Sequence, residues 1–279
     1  MTDRQNLTEA PARKALGQHF LFDPDILRRT ALAAGAVEGR TVIEVGPGPG
    51  GLTRAILENG AKKLICVEAD ERFAEALREW PAFAEKRLHI HKMDARKADW
   101  RKIIAEAGGD EPAMIIANLP YNVGTPLLVN WIKATDWRGS MALMFQKEVA
   151  ERICAKPGDK HYGRLAVLAA STCDAHLSFT LPPGAFNPPP KVDSAVTVLH
   201  PLPHDEVFQH IGAIETVAAA AFGQRRKMLR AALKSLAKTI RVDATSWLEA
   251  CEVDPTVRAE TIDQNAFRRL ATYYAEATQ

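Results

Sequence analysis

From about residue 41 to residue 147, short β-branched apolar runs alternate with longer stretches whose apolar positions recur at helical spacing. Runs at 41–45, 64–68, 88–91, 114–117 and 141–145 read as strands. Between them, 52–59 stops before Gly60, 71–80 stops before Pro81, and 126–133 carries proline in its first turn, as helices do at their ends. Such alternation predicts a doubly wound α/β sheet with helices as crossovers. Beyond 145, KEVAERICA reads as a helix and 165–172 as either helix or strand. The segment 181–191, LPPGAFNPPPK, has too many prolines for a helix or a central strand and is expected to be an ordered loop. Residues 192–199 alternate well enough to close the sheet as an edge pair, and HPLPH at 200–204 reads as a linker. From 205 to 279 no strand pattern occurs, so the chain is expected to hold an α/β domain over 1–204 and a small all-helical domain over 205–279.

Composition narrows what such a chain can be. With 279 residues, 47% hydrophobic and 25% charged, it has globular composition and is not disordered throughout. A net charge of +2 makes the whole chain no obvious polyanion binder, so nucleic-acid binding must rest on local charge. The longest apolar stretches, 165–170 and 217–222, fall far short of the roughly 20 residues that cross a bilayer. The first eighteen residues mix charges and amides without an apolar core, so no secretory signal is expected and the location is cytoplasmic. Cys66, Cys154, Cys173 and Cys251 lie far apart with no C-x-x-C pair, which argues against a disulfide framework or a zinc site. No heptad seam points to a dimer, so a monomer is expected.

The chemistry begins at 41–51, TVIEVGPGPGG. A strand runs directly into Gly46, Gly48, Gly50 and Gly51, and a helix follows. Gly46-x-Gly48-x-x-Gly51 fits the dinucleotide fingerprint, with Glu68 at the end of the next strand placed to accept from ribose hydroxyls. A plain turn is the alternative, but the strand before, the helix after and the acid beyond favour a bound nucleoside. The loop alone does not separate a nicotinamide from S-adenosylmethionine. Glu44 suits a cationic ligand such as a sulfonium, and equally suits a structural partner at a helix end. Asp94, after the third strand, can accept from an adenine amine or cap a helix.

Asn118-Leu119-Pro120-Tyr121 follows the fourth strand. Methyl transfer to an aromatic amine needs the nitrogen lone pair freed from ring conjugation, which acceptors on its two hydrogens achieve. The Asn118 side-chain oxygen and a backbone carbonyl made rigid by Pro120 supply such acceptors, and Tyr121 offers a face for stacking a base. Asn and Pro are also ordinary turn residues. Phe186, among prolines, is a second stacking wall or a buried anchor, and Lys191 a phosphate contact or a solvated cation.

Gly17-Gln18-His19-Phe20-Leu21, VIEVGPGPGGLT, Val67-Glu68-Ala69-Asp70, Met93-Asp94-Ala95, Asn118-Leu119-Pro120-Tyr121-Asn122 and the 186–194 segment FNPPPKVDS occur in that order. Together they resemble the small-subunit ribosomal RNA adenine N6,N6-dimethyltransferases, the KsgA family, over about residues 13–270. The resemblance implies a Rossmann-like methyltransferase domain, with residues 1–40 contributing to the cofactor pocket. It implies S-adenosylmethionine as donor, and two adjacent adenosines in a hairpin loop near the 3′ end of 16S rRNA, in the immature small subunit, as acceptors. It places His19, Leu21, Gly46, Glu68, Asp94 and Asn118 at the cofactor, and Asn118, Leu119, Pro120, Tyr121 and Phe186 at the reacting base. His19 departs from the usual Asn.

Between Glu215 and Asp243 seven Lys or Arg residues occur with no acid, and the segment reads as a basic helix ending near Arg241. A cationic helix start opposes the helix dipole, so Arg225, Arg226 and Lys227, with Arg230, suit phosphates better than helix stability. A solvated face is the ordinary reading; the family's similar F-x-Q-R-R-K segment implies RNA contact.

Overall fold

The computed structural model describes residues 18–120 and 123–278. Along the chain come β1 (Phe20–Leu21), α1 (Pro24–Leu32), β2 (Thr41–Val45), α2 (Gly51–Glu58), β3 (Lys63–Glu68) and α3 (Glu71–Arg78). Then follow α4 (Pro81–Ala84), β4 (Leu88–Lys92), α5 (Trp100–Glu106), β5 (Ala113–Asn118), α6 (Gly124–Lys133) and β6 (Arg138–Gln146). The five strands expected between 41 and 147 all form, as β2 to β6, and neighbours among them pair in parallel. All five residues of β2 are buried, as in a strand covered by helices on both faces, and its apolar run is broken only by Glu44 after Thr41.

The chain continues through α7 (Lys147–Cys154), α8 (Arg164–Ala169), β7 (Cys173–Leu181), β8 (Phe186–Asn187) and β9 (Ser194–Pro201). The main sheet has the order β4-β3-β2-β5-β6-β9-β7. Residues 165–172, open to helix or strand in the sequence, contribute to a helix. Two features differ from the sequence reading. The strand near 192–199 is internal, antiparallel to β6, and the edge belongs to β7. β7 alternates exposed Asp174, His176 and Thr180 with inward positions and has no apolar run to announce it. Within the proline loop, β8 pairs antiparallel with β1.

Among the described residues, those up to Ala150 with His176–His200 form one compact unit, and Glu151–Ala175 with those from Pro201 onward form a second. The chain thus crosses between units three times, where the sequence suggests one boundary near 204. The reason is local bonding of 151–175 to the late helices. Tyr162 donates its hydroxyl to the Ile262 carbonyl at 3.3 Å, and Gln264 donates its side-chain amide to the Val167 carbonyl at 3.1 Å.

Among the described residues from 205 on, helices are the only regular structure, as expected: α9 (Ile211–Gly223), α10 (Leu229–Ala232), α11 (Lys234–Thr239), α12 (Ala244–Ala250) and α13 (Gln264–Ala277). Phe222 of α9 stacks on Phe267 of α13 with centroids 5.6 Å apart, and Phe267 and Trp247 are fully buried. The continuous basic helix does not form. α9 stops at Gly223, Lys227 N–H donates to the Gln224 carbonyl in a turn, and two short helices follow. The cations of 225–227 therefore occupy a turn, which relieves their conflict with a helix N-terminus.

Candidate active site

A cavity of about 260 Å³ opens at the carboxyl ends of β2, β3, β4 and β5, within the first unit. It is the crevice where an open α/β sheet binds its ligand. The turn from β2 to α2 forms one wall. Gly48 has φ +52° and presents its Cα to the Phe20 ring, where a Cβ would sit 2.9 Å from a ring carbon. Its N–H donates to Glu68 Oε2 at 3.1 Å, and Asp70 N–H donates to Glu68 Oε1 at 2.7 Å. These two bonds hold the buried Glu68 carboxyl in one orientation at the end of β3, while burial raises its pKa. Carboxylate oxygens carry two acceptor sites each, so both retain capacity for hydroxyl donors.

Glu44 also lines the cavity, on β2. Thr53 of α2 donates its hydroxyl to Glu44 Oε2 at 2.7 Å, and Cys66 donates its thiol to the same oxygen at 3.5 Å. The helix-partner role left open by the sequence is therefore occupied. Burial pushes the Glu44 pKa up to about 8, against the usual value of 4.5. Between about pH 4.5 and pH 8 the unfolded chain has released this proton and the native chain retains it. Stability consequently falls as pH rises through that window and levels off above it. Glu44→Gln is expected to lessen the fall, which urea midpoints at pH 5.5 and pH 8 measure. An unchanged difference between the two midpoints would remove Glu44 as its source.

Asp94 lies just after β4 and lines the cavity. It also caps the turn Ala95–Lys97, accepting Arg96 N–H at 2.9 Å and the Arg96 guanidinium at 2.6 Å. Those bonds lower its pKa to about 2, so it is an ionised acceptor. Both roles read from the sequence are thus geometrically compatible.

Asn118 ends β5 at the opposite wall. Its Nδ2 donates to the His19 main-chain carbonyl at 3.1 Å, which leaves Oδ1 as the acceptor of the carboxamide. Leu119 and Pro120 continue the wall; Tyr121 lies outside the described residues. His19, Leu21 and Gly46 line the cavity as well. Phe186 does not. It is 5% exposed and belongs to the core cluster with Leu21 and Phe179, so its ring is the buried anchor, not a wall of this cavity. β8 pairs Phe186 with Leu21, and that pairing turns the ring into the core.

Sequence reasoning missed Thr53, Cys66 and Arg96. Arg96 follows Asp94 by two positions, a spacing that carries a signal for capping. The Thr53–Glu44 bond had none, because the fold alone sets the two side chains against each other.

In the second unit, Arg225 donates Nε to Glu260 at 2.8 Å and Nη2 to the Lys160 carbonyl at 2.9 Å. It is tied down as a brace of the turn. Arg226, Lys227 and Arg230 are exposed, and so is Lys191 in the first unit. Among the described residues no helix is long and apolar enough to cross a membrane.

A family profile described as "Ribosomal RNA adenine dimethylase" matches residues 10–276. Ribosomal RNA small subunit methyltransferase A of Agrobacterium fabrum is 52% identical over 264 residues, covering 93% of this chain and 92% of its own length. A dimethyladenosine transferase from Plasmodium falciparum superposes with a TM-score of 0.77 at 26% identity, over 93% of this chain and 98% of that one. The 23S rRNA methyltransferase ErmE shares the fold, with a TM-score of 0.67 at 23% identity over 92% and 99% of the two chains. The fold is thus the Rossmann-like methyltransferase sheet followed by helices. A profile spanning nearly the whole chain, over a cavity built at the ends of parallel strands, leads to one assignment: this chain belongs to the ribosomal RNA adenine dimethylase family.

Proposed function

We propose that the protein takes methyl groups from S-adenosylmethionine and places them on N6 of two adjacent adenosines in the 3′-terminal hairpin loop of 16S rRNA. It acts as a cytoplasmic monomer during maturation of the small ribosomal subunit. The observation that carries this reading is the placement of Glu68 and Asn118 in one cavity, at the ends of β3 and β5.

The acceptors present fit the nucleoside part of such a donor. Glu68 receives the ribose hydroxyls, and Asp94, kept ionised by Arg96, receives the adenine amine. His19, Leu21 and Gly46 line the remaining cavity wall. When bound, the sulfonium supplies an electrophilic methyl group. The residues of this chain then orient the acceptor. Asn118 Oδ1 accepts one hydrogen of the adenosine amine, and the carbonyl before Pro120 accepts the other. This draws the nitrogen lone pair out of ring conjugation and toward the methyl carbon. Tyr121 stacks on the extruded base. Positioning and fixed dipoles carry the rate: the S–C bond would break as the N–C bond forms, leaving a neutral thioether, and the methylated amine, now a cation, gives its extra proton to water, so no strong base is required. Arg226, Lys227, Arg230 and Lys191 meet RNA phosphates, while Arg225 holds the turn that presents its neighbours.

The test is incubation with labelled donor and undermethylated small subunits, with large subunits in parallel, followed by mapping of the modified nucleotides. Label on two neighbouring adenosines of the small subunit is expected. No transfer, or label confined to the large subunit, overturns the reading. Glu68→Ala is expected to weaken donor binding about ten- to hundredfold, the equivalent of losing hydrogen bonds to a charged acceptor. Titration calorimetry measures this, with the thermal midpoint followed alongside to separate unfolding. Wild-type affinity in the variant would remove Glu68 from the ribose role.

A further inference from the structure

We propose that the ring of His19 is a positioning residue for the acceptor side, fastening the proline segment after β8 to the wall that carries Asn118. This rests on the methyl-transfer reading above. β1 and β8 are two residues long and pair Leu21 with Phe186 and Phe20 with Asn187. So short a ladder is marginal alone. The register sets His19 opposite Pro188, where the ladder cannot continue because proline has no N–H to give.

Side chains close the gap. His19 Nδ1 lies 2.8 Å from the Pro188 carbonyl oxygen. A carbonyl only accepts, so Nδ1–H is the donor, standing in for the missing rung. The His19 main-chain carbonyl, for which Pro188 has no donor, receives Nδ2–H of Asn118 at 3.1 Å. One residue therefore joins the amide that orients the acceptor amine to the segment leading from the buried Phe186 to exposed Lys191. The imidazole Nδ1 and the asparagine Nδ2 are both attached to Cγ, so asparagine offers a donor from nearly the same place. Leucine keeps the bulk and offers none.

The experiment uses the full chain, undermethylated small subunits and S-adenosylmethionine. His19→Leu is expected to lower kcat/KM for subunits about three- to tenfold, the rate equivalent of one hydrogen bond. Any loss of donor affinity by calorimetry is smaller than the loss of kcat/KM, which is measured at saturating donor, and His19→Asn restores kcat/KM. The proposal is overturned if His19→Leu weakens donor binding as much as it lowers kcat/KM, because the ring is then a donor ligand. It is also overturned if kcat/KM is unchanged or if asparagine fails to restore it. Should the wild-type chain transfer no methyl, the methyl-transfer reading falls by itself. The fastening is then read from hydrogen exchange at the Phe186, Asn187 and Lys191 amides. Faster exchange in His19→Leu, reversed in His19→Asn, supports it, and equal exchange in all three proteins overturns it.

Discussion

On the proposed reading, Asn118→Ala is expected to lower the rate of methyl transfer by about two to three orders of magnitude, the range found when one preorganised polar group is removed from a reacting centre. The carboxamide sits at the end of β5, on a strand whose preceding five residues are buried, so its backbone has little freedom. Its Nδ2 is committed to the His19 carbonyl, and Oδ1 is thereby held as an acceptor without reorganisation during the reaction. In that reading alanine would remove the acceptor and leave the amine lone pair conjugated with the purine ring. Donor affinity is expected to change much less, because the proposed donor contacts Glu68 and Asp94, which line the same cavity, remain. Single-turnover transfer from labelled donor to small subunits measures the rate, and calorimetry the affinity. A rate within about fivefold of wild type would remove Asn118 from the chemistry. A loss of affinity equal to the loss of rate would make it a donor ligand only.

Gly50→Val destabilises the first unit by about 2–5 kcal/mol. Gly50 has φ +85°, a left-handed conformation that costs an L-residue about 1–2 kcal/mol. A Cβ there would stand 2.7 Å from the Trp80 ring and 2.9 Å from Leu77 Cδ2. Leu77 is fully buried on α3, so its methyl has little room to shift, and such overpacking adds about 1–3 kcal/mol. Gly50 is also the N-cap of α2, so the strain falls on the turn between β2 and the cavity. Urea unfolding in one buffer measures the change. A loss under about 1 kcal/mol would mean that the Trp80 side chain simply swings aside.

Strands β2, β3, β5 and β6 were legible because each lies inside the sheet, where burial leaves mainly apolar runs, and the edge strand β4 was legible from its alternation of buried Leu88 and Ile90 with half-buried His89 and His91. β7 was not, since an edge strand with solvent on one side needs no such run. The glycine turn and Glu68 were legible because their spacing is set within one strand–turn–helix–strand unit. Segregation of charge between Glu215 and Asp243 was also visible, but its form was not: the segment breaks into a turn and short helices, and Arg225 finds Glu260 far along the chain. The role of Phe186 stayed open until β8 paired with β1 and turned its ring into the core.

The amino-acid sequence by itself determined the parallel strands of the sheet, the order of the motifs and the glycine turn that lines the cavity, because these depend on neighbours within a few turns of chain. The tertiary structure alone decided that Glu44 keeps its proton to about pH 8, since only packing removes that carboxyl from water. It alone decided that His19 would reach both Asn118 and Pro188, which stand 99 and 169 positions away. Hydrogen bonds across such separations follow from how the strands are ordered and where a ladder must stop, and neither is written in any local pattern.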